Sequence, residues 1–280
     1  MGRVEGKVAV VTGAARGQGR SHAVRLAAEG ADVIALDICQ DIEGLQYPLA
    51  TPEDLDETVR EVEKLDRRVV ARQVDVRDIE AMSAAVSDGV AELGSLDIVC
   101  ANAGIVGPYG LDPADLVRRL TAFRLIVDVN LTGVFCTVEA CRAALVGSGG
   151  GGSVIITSSL AGLRALGAPG GYTEAKHGLV GMMRAYAKEF APHGIRVNTV
   201  HPTNVNTPMI TNEATYRAFR PDLENPTLAE AEAALSYLNL LPVPYLEAGD
   251  ISDAVLWLAS EESRYVTGVA LPVDAGGALK

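Results

Sequence analysis

The chain has 280 residues, 48% of them hydrophobic and 5% aromatic, with a formal net charge of −12. That length supports one large α/β domain or two small ones with a sizeable core, and the acidic balance argues against a nucleic-acid or anionic-membrane surface and reads as solubility. The four cysteines, Cys39, Cys100, Cys136 and Cys141, form no CxxC pair and no His/Cys spacing suited to zinc, so buried free thiols in a reducing compartment are expected and a metal site is not. No basic segment followed by an apolar one marks a signal peptide, Gly6 stands where N-myristoylation needs Ser or Thr, and the longest apolar runs are strand-length; the expected location is the cytoplasm, without a membrane segment.

Lys7 to Thr12 is a short valine-rich run, the pattern of a strand buried on both faces. Gly13-Ala14-Ala15-Arg16-Gly17-Gln18-Gly19 follows, and then helical spacing from Ser21 to Gly30. Strand, glycine-rich turn and helix together aim backbone N–H groups and a helix N-terminus at a phosphate. A plain tight turn is the alternative; three glycines between a buried strand and a helix favour the phosphate site. Ala31 to Asp37 is the next strand and ends on an acid. In a dinucleotide site such an acid accepts hydrogen bonds from the adenosine ribose and repels a 2′-phosphate, so Asp37 favours NAD over NADP. Arg16 pulls toward a 2′-phosphate, but a carboxylate at the ribose blocks that phosphate directly.

Residues 38–51 are too irregular for a helix and long for a strand-to-helix connection. They leave the second strand beside the adenosine pocket and either fold over the cofactor or form a surface insertion. Thr51-Pro52-Glu53-Asp54 opens a helix running to about Asp66. Arg68 to Val74 is the third strand, followed by a helix from about Asp78 to Leu93; Asp75 between them either takes the adenine amine or caps the helix. Leu96 to Cys100 is the fourth strand, running into Ala101-Asn102-Ala103-Gly104, whose small residues let backbone approach a cofactor. This alternation predicts an α/β fold: a single Rossmann-type, doubly wound parallel sheet of about seven strands with helices on both faces, one domain over 1–280. Ligands bind at the carboxyl ends of such strands, where Gly13, Asp37, Asp75 and Asn102 fall.

Residues 112–146 read as helix, with Asn130 inside it either satisfying a local backbone break, holding a water, or standing as a plain polar position. Gly147 to Ser153 has linker composition, but strand-like Val154 to Thr157 follows at once, so it reads as a loose loop within the domain. A small-residue loop, Ala161 to Gly171, leads to a helix from Tyr172 to about Pro192. Tyr172 and Lys176, four apart, share a helix face, and an ammonium beside a phenol lowers its pKa toward neutral pH. Such a pair is common by chance; convergence with a cofactor turn gives it weight. Ile195 to Val200 is the sixth strand, and 205–245 is Pro-punctuated and helical in places, suiting a substrate lid or a packed insertion. A helix from Asp250 to Ala259 and a strand from Val266 to Asp274 close the chain.

Thr12-Gly13-x-x-x-Gly17-x-Gly19, Asn102-Ala103-Gly104, Asn130, Ser159 and Tyr172-x-x-x-Lys176 stand in order at the spacing of the short-chain dehydrogenases/reductases, and the chain resembles that family from Val4 to Gly277. Residues 12–23, the Asp37-Ile38-Cys39 junction, the insertion through Tyr47 to Thr51 and His201-Pro202-Thr203 look like its mycofactocin-associated, carveol-dehydrogenase-like branch of actinobacteria. The resemblance implies bound NAD reoxidised in place by another redox carrier, such as mycofactocin, and a homotetramer. Two positions depart from the family: Ala101 replaces an asparagine that supports strand four, and Thr203 replaces a glycine and puts a hydroxyl near the nicotinamide.

The roles that follow are these. Tyr172 removes the alcohol proton while hydride leaves carbon for the nicotinamide, Ser159 hydrogen-bonds the substrate oxygen, Lys176 tunes Tyr172 and holds the nicotinamide ribose, and Asn130 positions a water relaying protons from Lys176. Ser158 competes with Ser159, and the offset of thirteen residues before the tyrosine selects Ser159. Gly13, Arg16, Gly17, Gln18 and Gly19 line the pyrophosphate turn; Asp37 and Ile38 take the ribose, Asp75 and Val76 the adenine; Asn102, Ala103 and Gly104 back the cofactor, and Pro202, Val205, Thr207 and Met209 its nicotinamide end. Apolar walls from Val205, Met209, Ile210, Leu235 and Leu238 suit a hydrophobic secondary alcohol such as a cyclic terpenoid. The competing classes are an NADPH-dependent 3-oxoacyl thioester reductase of the same fold, disfavoured by Asp37 and the lack of a basic carrier-docking surface, and a non-catalytic nucleotide-binding sensor, disfavoured by the intact Ser159/Tyr172/Lys176 set.

Overall fold

A computed structural model describes residues 2–167 and 169–280. Seven strands, β1 (Val8–Thr12), β2 (Asp32–Asp37), β3 (Val69–Gln73), β4 (Ile98–Ala101), β5 (Gly152–Thr157), β6 (Ile195–Pro202) and β7 (Ala270–Val273), form one sheet in the order β3-β2-β1-β4-β5-β6-β7. Every pairing is parallel. The valine-rich reading of the central strands holds: β1, β2 and β4 are buried along their whole length, which a parallel sheet covered on both faces requires. Edge strands β3 and β7 are only partly covered.

The helices are α1 (Gly17–Ala28), α2 (Pro52–Glu63), α3 (Ile79–Leu93), α4 (Leu116–Val127), α5 (Gly133–Gly147), α6 (Tyr172–Phe190), α7 (Glu213–Phe219), α8 (Leu228–Ser236) and α9 (Ala248–Ala259). Alternate strand residues point to opposite faces, so the core splits in two. Val10, Ile34, Val99 and Ile156 meet Met82, Val86, Val138 and Leu179 of α3, α5 and α6 on one face. Ala9, Val33, Ile98 and Ile155 meet Leu26, Leu55, Val255 and Leu256 of α1, α2 and α9 on the other. The order reverses between β1 and β4, and that switch point is where a ligand fits an open α/β sheet.

Three elements differ from expectation. Helix α1 starts at Gly17 instead of Ser21, because Gly19 lies in the first turn pressed on the loop: a Cβ there would fall 1.9 Å from the Gly13 carbonyl oxygen. The helical stretch from 112 breaks at Asp128–Thr132 into a single π turn between α4 and α5. Strand β6 runs on through His201 and Pro202, paired with Pro272 and Val273. The expectation of no candidate membrane span is also not met: Leu116–Gly147 is long and apolar enough by length and composition to cross a bilayer, although its uninterrupted apolar runs are short. Part of that stretch is core, with Ile126, Val134, Val138, Cys141 and Leu145 buried in the fold.

A polar cross-brace closes the switch point. Thr12 Oγ1 accepts from the amides of Asn102 (3.0 Å) and Ala103 (3.2 Å), Asn102 Nδ2 donates to the Thr12 carbonyl (3.0 Å), and Thr157 Oγ1 donates to Asn102 Oδ1 (3.2 Å). The ends of β1, β4 and β5 are thereby tied side to side. Thr12→Val keeps the shape and strands two amides, so a loss of about 2 kcal/mol is expected. Urea unfolding should show a lower midpoint at unchanged slope; an unchanged midpoint refutes the brace.

Candidate active site

A cleft opens above the carboxyl ends of the central strands. It is lined by Gly13, Arg16, Gly17, Gln18, Gly19, Asp37, Ile38, Asp75, Val76, Asn102, Ala103, Gly104, Thr207 and Met209, all expected, together with Ile42, Tyr47, Leu49, Ala50, Val74, Ile105, Val129 and Pro208. Gly13 adopts φ +66°, and a Cβ on it would sit 3.0 Å from Ala103 Cα, so the turn and the strand-four backbone approach at a distance only glycine permits. Asp37, buried at the end of β2, accepts from the amides of Ala15 (3.0 Å) and Cys39 (3.1 Å). Its carboxylate therefore shapes the glycine turn as well as facing the cleft. Burial raises Asp75, but a fork of bonds from Arg77 outweighs it and holds the carboxyl below its ordinary value. The helix-capping role goes to Asp78, which accepts from the amides of Glu80 and Ala81 at the start of α3.

Of the two readings of residues 38–51, the structure has them crossing to the loop after β4. Tyr47 is buried and its hydroxyl accepts from the Val106 amide at 3.1 Å. Gln46 exchanges two bonds with the Tyr109 backbone (2.7 and 3.2 Å). Arg16 donates to the Pro48 carbonyl at 2.5 Å, so this guanidinium braces the insertion. Burial pushes the Tyr47 phenol up to about 12, keeping it neutral.

Gly171, at φ +94°, turns the chain into α6, and its amide donates to Glu174 Oε2 at 2.9 Å. Tyr172 and Lys176 then stand one turn apart, with Lys176 Nζ 5.7 Å from the phenol ring centroid. Nζ donates to the Thr157 carbonyl at 2.9 Å, and burial lowers Lys176 to about 8. The expectation that the lysine lowers the phenol is not met: burial raises Tyr172, and the Ser159 side chain offsets this only in part. The ammonium points to Thr157 rather than at the phenol oxygen, and desolvation of a phenolate outweighs its field.

The two serines are placed differently. Ser158 is buried and its hydroxyl donates to the Lys176 carbonyl at 2.9 Å, while Ser159 caps a short 3-10 turn, Leu160–Gly162, on the Tyr172 side. Asn130 sits in the π turn with both side-chain atoms spent on Ile105: Oδ1 accepts from its amide and Nδ2 donates to its carbonyl, both at 2.8 Å. Gly104 is the spacer between, since a Cβ there would lie 3.0 Å from Asn130 Oδ1 and 3.6 Å from Lys176 Nζ.

The far end differs more. Pro202 is the last residue of β6, and Val205 is core, bridged to Leu246; Leu235 is fully buried as well, so neither forms an open wall. Met209, Ile210 and Leu238 remain part-exposed. The Thr203 hydroxyl turns away onto Asn239 Oδ1 (2.6 Å). Tyr109 was missed: it lies near Tyr47, Tyr172 and Thr215 of α7, and burial raises its phenol. An aromatic inside Gly107-Pro108-Tyr109-Gly110 was the available signal.

A dinucleotide suits this donor set. The turn offers main-chain amides at the start of α1, Asp37 and Asp75 are acceptors at two strand ends, and Gln18 Oε1 is buried at the cleft without a partner among the described residues.

A family profile described as enoyl-(acyl carrier protein) reductase matches residues 13–277. A (−)-trans-carveol dehydrogenase from Rhodococcus erythropolis is 51% identical over 280 residues, covering all of both chains. The crystal structure of a carveol dehydrogenase from Mycobacterium avium in complex with NAD is 56% identical, with a TM-score of 0.96 and full coverage of both chains. A short chain dehydrogenase from Mycobacterium paratuberculosis bound to NAD is 44% identical, again over both full chains, with a TM-score of 0.89.

Lys176 gives a pH signature. Burial brings it to about 8 in the fold from an ordinary 10.5, so between the two the unfolded chain holds a proton that the folded chain lacks. Its contribution to stability therefore rises with pH across that window and is lost as pH falls through about 8. Urea midpoints of the native protein, compared with Lys176→Met, should diverge in its favour over this range; a constant difference contradicts the buried ammonium.

Proposed function

The chain belongs to the short-chain dehydrogenase/reductase family, and on that premise we propose that it is an NAD-dependent alcohol dehydrogenase acting on CH–OH groups, interconverting a hydrophobic secondary alcohol and its ketone. Carveol-like or other cyclic alcohols are the substrate class. The observation that carries the reading is the convergence of Ser159, Tyr172 and Lys176 on one another next to Gly104, which lines the cleft that presents Asp37 and the glycine turn. Bound NAD supplies the hydride acceptor. Ser159 donates to the substrate oxygen and steadies the charge that develops on it. Tyr172, neutral in its buried setting, donates its proton to that oxygen as the ketone is reduced, and its phenolate takes the alcohol proton in the oxidation direction. Lys176, fixed by the Thr157 carbonyl, keeps positive charge beside the phenol when the proton leaves. A water relay past Asn130 would use its main chain, because its side chain is spent on Ile105.

Met209, which lines the cleft, and the part-exposed Ile210 and Leu238 that follow in the same segment favour a substrate with little polarity beyond its hydroxyl. The 38–51 clasp supports retention of NAD between turnovers, with reoxidation in place by a diffusible redox carrier of the mycofactocin kind. A homotetramer is supported by the apolar face of α4, where Leu116 and Val117 are 70% and 79% exposed. The cytoplasm is the proposed location.

Tyr172→Phe should reduce turnover of a responsive alcohol by about 10²–10⁴-fold, followed as NADH absorbance across an alcohol panel, with nucleotide binding retained. Full activity of that variant removes Tyr172 from the chemistry. Tyr47→Phe deletes the acceptor for the Val106 amide. A lost bond of about 1.4 kcal/mol corresponds to tenfold faster nucleotide release, read by stopped-flow displacement of bound NADH. Release at the native rate removes the clasp from cofactor retention.

A further inference from the structure

One fully buried imidazole beside the site has no role in the scheme above. His201 sits on β6, opposite Pro272 of β7. Its Nδ1 lies 2.8 Å from the carbonyl oxygen of Ser159, and its Nε2 lies 2.8 Å from Thr199 Oγ1. A main-chain carbonyl only accepts, so Nδ1 carries the proton, Nε2 is the acceptor and the Thr199 hydroxyl donates to it. Thr199 is also fully buried, so the order of donors is sealed from water.

Besides its side-chain contact with Tyr172, Ser159 is held by its own turn: its carbonyl accepts from the Gly162 amide (2.8 Å) and its Oγ accepts from the Ala161 amide (3.1 Å). His201 adds the one side-chain bond that reaches this residue from the neighbouring strand, on the second lone pair of the same carbonyl. Two donors in different directions fix the peptide plane, and the plane fixes where the hydroxyl points. We infer that His201 is a positioning residue, held as its Nδ1–H tautomer by the Ser159 carbonyl with the Thr199 hydroxyl donating to Nε2, that keeps Ser159 aimed at the substrate oxygen; the inference rests on the proposed role of Ser159. Burial lowers the imidazole to about 4, so it is neutral and its donor pattern constant through the neutral range. A misplacement of about 1 Å at a group that stabilises developing charge costs on the order of 10²-fold in rate.

Two isosteric amides separate the bonds. In His201→Asn the side-chain nitrogen takes the place of Nδ1 and keeps the Ser159 bond. In His201→Gln it takes the place of Nε2 and keeps only the Thr199 side. On a responsive alcohol, His201→Asn should retain kcat within about threefold, while His201→Gln should lose tenfold or more in kcat with KM for NAD unchanged. Equal losses, or the reverse order, overturn the assignment. Two readouts need no turnover. The ¹⁵N imidazole spectrum of the native protein should show Nδ1–H, and amide exchange at Ala161 and Gly162 should quicken in His201→Gln and not in His201→Asn. An Nε2–H tautomer, or exchange unmoved in both, overturns it. If no alcohol is turned over by the native protein, the proposed function has failed and these two readouts alone decide. Should the histidine variants not fold, Thr199→Val, which removes only the donor to Nε2, should keep the Nδ1–H tautomer that the Ser159 carbonyl imposes and hold kcat within about threefold; an Nε2–H tautomer, or Nδ1–H with a tenfold lower kcat, refutes the positioning role.

Discussion

The hydrogen bonds of Asn102 are the constraint on which the site depends. A parallel sheet leaves the carboxyl ends of its strands as separate loops, and a site assembled from several of them needs something to hold those ends together. Here Asn102 takes the Thr12 carbonyl and the Thr157 hydroxyl, while Thr12 Oγ1 receives two amides of the strand-four turn. The glycine turn hangs from Thr12, and Lys176 hangs from the Thr157 carbonyl. A displacement at Asn102 would therefore reach the turn and the lysine together. Ala101 contributes no polar group to this brace, so one asparagine serves three strands.

Burial governs the electrostatics that follow. Starting from ordinary values of 10.0 and 10.5, the loss of hydration raises the Tyr172 phenol and lowers the Lys176 ammonium to about 8, so each is pushed toward its neutral form and the two values move apart, with the phenol the weaker acid. The phenol therefore holds its proton when the two compete, and the lysine supports it by its charge below about 8 rather than by taking its proton. Ser158, by binding the Lys176 carbonyl, anchors the backbone of the same turn of α6 and leaves Ser159 free to face the phenol.

Much of this was legible in the chain. The seven strands, the α2 cap at Thr51 and the residues of the glycine turn follow from local pattern, because buried parallel strands are short, branched and bounded by turn residues. What was not legible depends on contacts between distant segments. Nothing local distinguishes Val205 and Leu235, which are core, from Met209 and Leu238, which stay part-exposed, since all four are apolar. The direction of the Tyr172 shift required knowing how completely the phenol is desolvated. Arg16 lies at the cleft as read, but its bond to the Pro48 carbonyl, thirty-two residues away, has no local signal.

The loop from Ile105 to Tyr109 joins two features that looked unrelated. The π turn places Asn130 so that its amide grips both the N–H and the carbonyl of Ile105. The insertion grips the next residues from the opposite side, through Tyr47 on the Val106 amide and Gln46 on the Tyr109 backbone. All of these bonds fall on main-chain groups, so they specify a backbone path rather than a particular side chain in the loop. The helix break is thus not an isolated irregularity: one extra residue per turn brings a buried amide to the strand-four loop, and that loop is the strut on which the clasp over the cleft closes.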